Sequence, residues 1–123
     1  MFRHKGAGEL YLYVDTSNQL DSFWQPPLNS EIKKKHGTLY GTSVGAGSFN
    51  FTRGKWNRLQ QSIQLNTFAR NGTPNADGKM LVLWNGIPSI TYDKMIWRES
   101  PKVKFTGILW ETFFGGNTDI YVG

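Results

Sequence analysis

The stretch over residues 47–66, GSFNFTRGKWNRLQQSIQLN, limits the possible folds more than any other part of the chain. It reads as a short strand over 48–52, a turn at Arg53-Gly54-Lys55 and one long strand over 56–66. Side chains alternate across a strand with a period of two. Leu59, Ile63 and Leu65 therefore share one face, while Arg58, Gln60, Ser62 and Gln64 share the other. Gln61 falls on the apolar side and interrupts it. A strand with one apolar and one amide-rich face belongs in a sheet that covers a core with one side and meets water with the other.

Further strands fall into place around this one. In residues 9–14, ELYLYV, Leu10, Leu12 and Val14 point one way and Glu9, Tyr11 and Tyr13 the other. The two tyrosines then stand about 7 Å apart on one face. Residues 39–44 form a short strand that Gly45-Ala46-Gly47 ends. Residues 80–84 and 87–92 flank Asn85-Gly86, the strongest short-range signal for a two-residue hairpin, and 94–98 continue as an edge segment. Residues 103–114 are apolar on both parities, the pattern of a strand buried on both faces, and 119–122 begin another. Between residues 15 and 38 the alternation dissolves into turn formers and the basic run Lys33-Lys34-Lys35-His36, which predicts a long surface loop. Long loops in compact domains are often binding elements. Seven or eight short strands separated by turns predict one all-β domain over residues 1–123, a β-sandwich or jelly roll.

Composition narrows the partners. The chain has 123 residues, a formal charge of +5 and no cysteine, so it holds no disulfide framework and no thiolate site. A net positive charge favours an anionic partner. No run is long enough to span a membrane, and Met1-Phe2-Arg3-His4-Lys5 is not the start of a signal peptide. Nucleotide-binding fingerprints and metal-ligand spacings are absent from the sequence, so neither a cofactor nor a metal is expected. Two N-glycosylation sequons occur, Asn50-Phe51-Thr52 and Asn71-Gly72-Thr73.

Three chemistries are compatible with parts of this pattern. Glu9 and Glu111 could form the carboxylate pair of a glycosidase if the fold brought them together. A nucleic-acid surface would need clustered cations with aromatic residues, but apart from residues 33–35 the cations are dispersed, so no nucleic-acid partner is expected. The tyrosine pair on a polar face of a basic protein suits a third chemistry, β-elimination from a uronate-containing polysaccharide. That reaction needs the uronate carboxylate neutralised, a base for the C5 proton and an acid for O4 of the leaving sugar. Tyrosine can serve as either, although as a base it needs a nearby cation to lower its pKa from about 10.

A set of motifs joins these features. Gly8-Glu9-Leu10-Tyr11-Leu12-Tyr13-Val14 is followed by the glycine-rich run from Gly41 to Phe49. Trp56-Asn57-Arg58, Gln64-Leu65-Asn66 and Phe113-Phe114-Gly115-Gly116 then occur in order. Together they resemble polysaccharide lyase family 14, which contains alginate and glucuronan-type lyases and many fungal domains. The resemblance implies a jelly roll with its substrate groove on a concave sheet, an extracellular setting and an acidic polysaccharide as partner. It places Tyr11 and Tyr13 on the family's catalytic Tyr-x-Tyr, with Tyr13 as general base or acid and Tyr11 as its partner. Arg58, Gln60 and Gln64 are then the candidates for binding sugar, provided that their face lines the groove. The family's Ser-x-Arg would precede Met1, and its last strand is longer than residues 119–123. The chain is accordingly expected to be a partial family-14 domain with open sheet edges. The alternative to a lyase is a non-catalytic sandwich that binds acidic glycans.

Overall fold

The computed structural model describes residues 4–29 and 41–109. Among the described residues, five strands, all paired antiparallel, make two sheets. β1 (Ala7–Leu12) pairs with β2 (Thr42–Asn50), and β3 (Leu59–Gln64), β4 (Gly78–Trp84) and β5 (Ile87–Met95) follow one another across the second sheet. The protein is all-β, and the inner faces of the two sheets supply a shared core, as in a β-sandwich.

The β4–β5 hairpin forms where the Asn-Gly pair predicts it. Asn85 and Gly86 have φ of 50° and 83°, the left-handed conformations of a tight turn that matches strand twist. β3 pairs with β4 without a break, setting Leu59 opposite Trp84, Gln61 opposite Val82 and Ile63 opposite Met80. Met80 and Val82 are buried in the core, so these positions of β3 face inward, whereas Gln60, Ser62 and Gln64 face outward. The predicted parity of this strand is therefore observed, over a shorter span than expected. Its inward side is only partly covered, and Leu59 remains 46% exposed.

β2 differs from expectation. The two short strands foreseen on either side of Gly45-Ala46-Gly47 are one strand with an irregularity: Gly8 pairs with Phe49, but Leu10 pairs with Val44. Gly45 and Gly47 take φ of 63° and 79°, which lets the chain depart from the ladder and return to it. Gly45 is buried, donates its N–H to the Leu28 carbonyl at 2.7 Å, and lies against the other sheet. A Cβ there would stand 2.6 Å from Cδ1 of Ile90 on β5.

Leu12, Val44 and Phe49 meet Met80, Val82, Ile90 and Met95 in the core. The Phe49 and Trp84 rings stack across the interface at 6.5 Å between centroids. The predicted surface loop after β1 also contributes. A 3₁₀ turn (Asp21–Trp24) buries Phe23 and Trp24, and Leu28 follows them into the core. Phe23 lies edge-on to Trp24 and tilted against Tyr92. A few well-spaced aromatic residues can fill a core without strand periodicity, which is why alternation alone marks this segment as surface.

After β5 the chain is held by side-chain amides rather than by a neighbouring strand. Gln19 accepts from Ile96 N–H at 3.1 Å and donates to the Ile96 carbonyl at 2.7 Å. Asn66 is fully buried. Its Oδ1 accepts from the N–H groups of Trp97 and Arg98 at 3.0 and 3.1 Å, and its Nδ2 donates to the Arg98 carbonyl at 3.2 Å. The Arg98 guanidinium returns two hydrogen bonds to the Asn66 carbonyl and donates to the Val103 carbonyl at 2.7 Å. Residues 103–109 beyond it are exposed and form no strand, with Ile108 at 97%. The doubly buried strand expected there is not present over 103–109, because apolar parity creates a strand interior only where something covers both faces. The remainder of that expected strand, and the one at 119–122, lie outside the described residues.

Gly45→Ala is expected to lower stability by about 2–4 kcal/mol, from a left-handed backbone combined with overpacking against Ile90. Asn66→Ala should cost about 1–3 kcal/mol by leaving part-buried backbone groups of residues 97 and 98 without their partner. Urea unfolding of both variants reads these values, and a loss below 0.5 kcal/mol in either would contradict the role given to that residue.

Candidate active site

β1 is apolar towards the core through Leu10 and Leu12, which turns Glu9 and Tyr11 to the opposite face. Tyr13 follows the strand end at the same parity. The two tyrosine rings lean together, edge to face, with centroids 5.5 Å apart and planes at 74°. Tyr11 is half-buried and Tyr13 is 81% exposed. One phenol thus packs against the sheet and steadies its neighbour, and the other stands in solvent where a polymer can reach it.

Cross-strand register supplies the rest of the cluster. Ser43 lies directly opposite Tyr11, and its hydroxyl donates to Oε2 of Glu9. Glu9 is only 2% exposed, so a carboxyl group is held beneath the face that carries the tyrosines. Gly41 lies under Tyr11: a Cβ there would come within 2.4 Å of the ring and 2.8 Å of the Leu12 carbonyl. Gly41 and Ser43 enter the sequence reading only as members of the glycine-rich run, with no role at the site. Their signal is the pairing register, which alternation within a single strand does not contain.

Arg58, Gln60 and Gln64 are not brought to the tyrosines. Gln60 pairs with Leu83 and Gln64 with Lys79, positions on the side of β4 opposite the buried Met80 and Val82. These amides therefore lie on the outer face of the second sheet, while Tyr11 and Tyr13 lie on the outer face of the first. Arg58 is exposed just ahead of β3, fixed by its N–H to Oδ1 of Asn85 and by Asn85 N–H to its carbonyl, both at 2.8 Å. Glu111, considered as a partner for Glu9 in a glycosidase pair, lies outside the described residues, as do Lys33, Lys34, Lys35 and His36. Among the described residues no group of three His, Cys, Asp or Glu side chains is placed to hold a metal ion, and no helix is long and apolar enough to cross a membrane.

The outer face of the first sheet thus presents a contacting tyrosine pair beside a buried carboxyl and a serine hydroxyl. A family model described as Polysaccharide lyase 14 matches residues 1–123, and the chain belongs to that family. Neither a curated protein nor a solved structure matched the chain. Family membership makes a polysaccharide the class of ligand and agrees with the resemblance carried by the Tyr-x-Tyr strand.

Gly41→Ala is expected to push the Tyr11 ring away from the sheet and break its contact with Tyr13. The near-ultraviolet circular dichroism of the tyrosines should change while the far-ultraviolet spectrum stays that of a folded β protein. An unaltered near-ultraviolet spectrum would show that the ring does not depend on the missing Cβ.

Proposed function

We propose that this domain cleaves a uronate-containing polysaccharide by β-elimination, with Tyr13 transferring the proton and Tyr11 holding it in place. The observation that carries this is the exposed Tyr13 phenol packed on Tyr11 in a chain of polysaccharide lyase family 14. Alginate and glucuronan are the substrates that the resemblance suggests, and an extracellular setting suits polymers of that size.

The reaction balances without a redox partner. A base removes the C5 proton, the electron pair becomes the C4–C5 double bond, and the bond from C4 to the glycosidic oxygen breaks. The leaving oxygen then takes up a proton. The uronate carboxylate must be neutralised for C5 to be acidic enough, and the negative charge that develops has to be met by a cation or hydrogen-bond donors. The accessibility of Tyr13 and its edge contact with Tyr11 support this role for it. Ser43 and Glu9 lie below as a hydrogen-bonded pair that keeps this part of the face polar.

Incubation with alginate and with glucuronan, followed by the absorbance of the unsaturated uronate, tests the proposal. Product should form with one of the polymers, and Tyr13→Phe should lower its rate by about 10²-fold or more. Product formed equally well by Tyr13→Phe would remove this tyrosine from the chemistry. Binding of the polymer with no product from the unaltered chain would favour a non-catalytic carbohydrate-binding sandwich.

A further inference from the structure

The outward face of β3 is polar and exposed. Gln60, Ser62 and Gln64 project from it, and the exposed Arg58 and Trp56 lie just ahead of the strand. Pairing with the hairpin extends through Arg58, whose backbone is tied to Asn85 in both directions. From Arg58 to Gln64 the track is about 20 Å long at the rise of a β-strand.

Trp56 is 100% exposed, the largest apolar surface that a side chain can offer to water. The loop backbone that carries it is held. Oδ1 of Asn57 accepts from Thr52 N–H, and Nδ2 of Asn57 donates to the carbonyls of Thr52 and Lys55, each at 2.9 Å. The loop closed by this amide carries Arg53 and Lys55 beside Trp56, with Arg58 following, all exposed. Between Glu31 and Asp77 the sequence contains no carboxylate at all. Of the carboxylates along the second sheet, Asp77 accepts from the N–H and hydroxyl of Thr67, and Asp93 lies on β5, beyond β4.

We infer that this face is a second, non-catalytic binding site for an acidic polysaccharide, with Trp56 as the stacking platform and Arg53, Lys55 and Arg58 as the carboxylate partners. A pyranose ring offers a face of C–H groups to the indole, and its hydroxyls match the amides of Gln60 and Gln64. Cations gathered at one end of a track of neutral amides match a polymer with one carboxylate and several hydroxyls on each sugar. Nucleic acid, with its much denser phosphates, would call for cations along the whole track. The site lies on the opposite sheet from Tyr11 and Tyr13, so a chain bound there is not bound across the tyrosines. The inference goes beyond the proposed elimination and does not require it.

The test uses the full chain carrying Tyr13→Phe, so that no polymer is consumed, and measures retardation in gels containing alginate or glucuronan. Adding Trp56→Ala is expected to weaken binding at least tenfold and abolish the blue shift of indole emission on binding. Arg58→Gln should weaken binding less and remove part of its salt dependence. A fully exposed indole can be removed without unfolding the protein, and the thermal midpoint of each variant checks this. Affinity unchanged by Trp56→Ala would overturn the proposal. Equally tight binding of single-stranded DNA, lost to the same extent in Trp56→Ala, would replace it with a general polyanion surface. Loss of binding in Trp56→Ala, with no product ever formed by the unaltered chain, would uphold this site while removing the lyase proposal.

Discussion

A two-stranded β ribbon is marginal in water by itself, and among the described residues β1 pairs with β2 alone, with Tyr11 on β1 and Tyr13 just past its end. The order of this ribbon depends on the second sheet. β2 meets β5 where Gly45 lies against Ile90, and Phe49 stacks on Trp84 nearby. Phe23, Trp24 and Leu28, from the segment after β1, complete the core. The absence of a side chain at Gly45 is what lets the two sheets come close enough for these contacts. Any change that separates the sheets removes the support for the tyrosine strand before it touches a tyrosine.

The same dependence explains which parts of the fold were legible in the sequence. The β4–β5 hairpin was legible because Asn85-Gly86 encodes its own left-handed turn, and the faces of β3 were legible because alternation is a local property. The irregularity in β2 was not. Gly45-Ala46-Gly47 has the chemistry of a turn, and only pairing with β1 makes the flanking segments one strand. The burial of Phe23 and Trp24 in a 3₁₀ turn follows no period. Residues 103–109 show the converse: their apolar pattern is local, but burial is a property of what lies against them.

At the site, parity was enough to put Tyr11 and Tyr13 together, and the rings indeed touch. Parity could not say that Ser43 would reach Glu9, since that depends on register across thirty-four positions of sequence. Nor could it say which sheet a strand joins. Arg58, Gln60 and Gln64 occupy a polar face as expected, but a sandwich has two outer faces, and theirs is the one away from the tyrosines.

Two outer faces on one small domain have different physical requirements. A face proposed to move a proton needs its acid or base fixed against a partner, and the ring contact of Tyr13 with Tyr11, which rests on Gly41, is the support on offer there. A face that only holds a polymer needs area and sparse charge, arranged so that ordering costs little on binding. Asn57 meets that need by pinning the Trp56 loop through three hydrogen bonds before any ligand arrives. The connection between the faces runs through this loop, since β2 leads from the tyrosine sheet into it and β3 leaves it for the other sheet. Holding a long polymer on one face raises its concentration at the other as long as the chain can reach around the edge of the sandwich. In the proposed division of tasks, the tyrosine face would be relieved of the need for tight ground-state binding, which would lower KM without accelerating the proposed elimination itself.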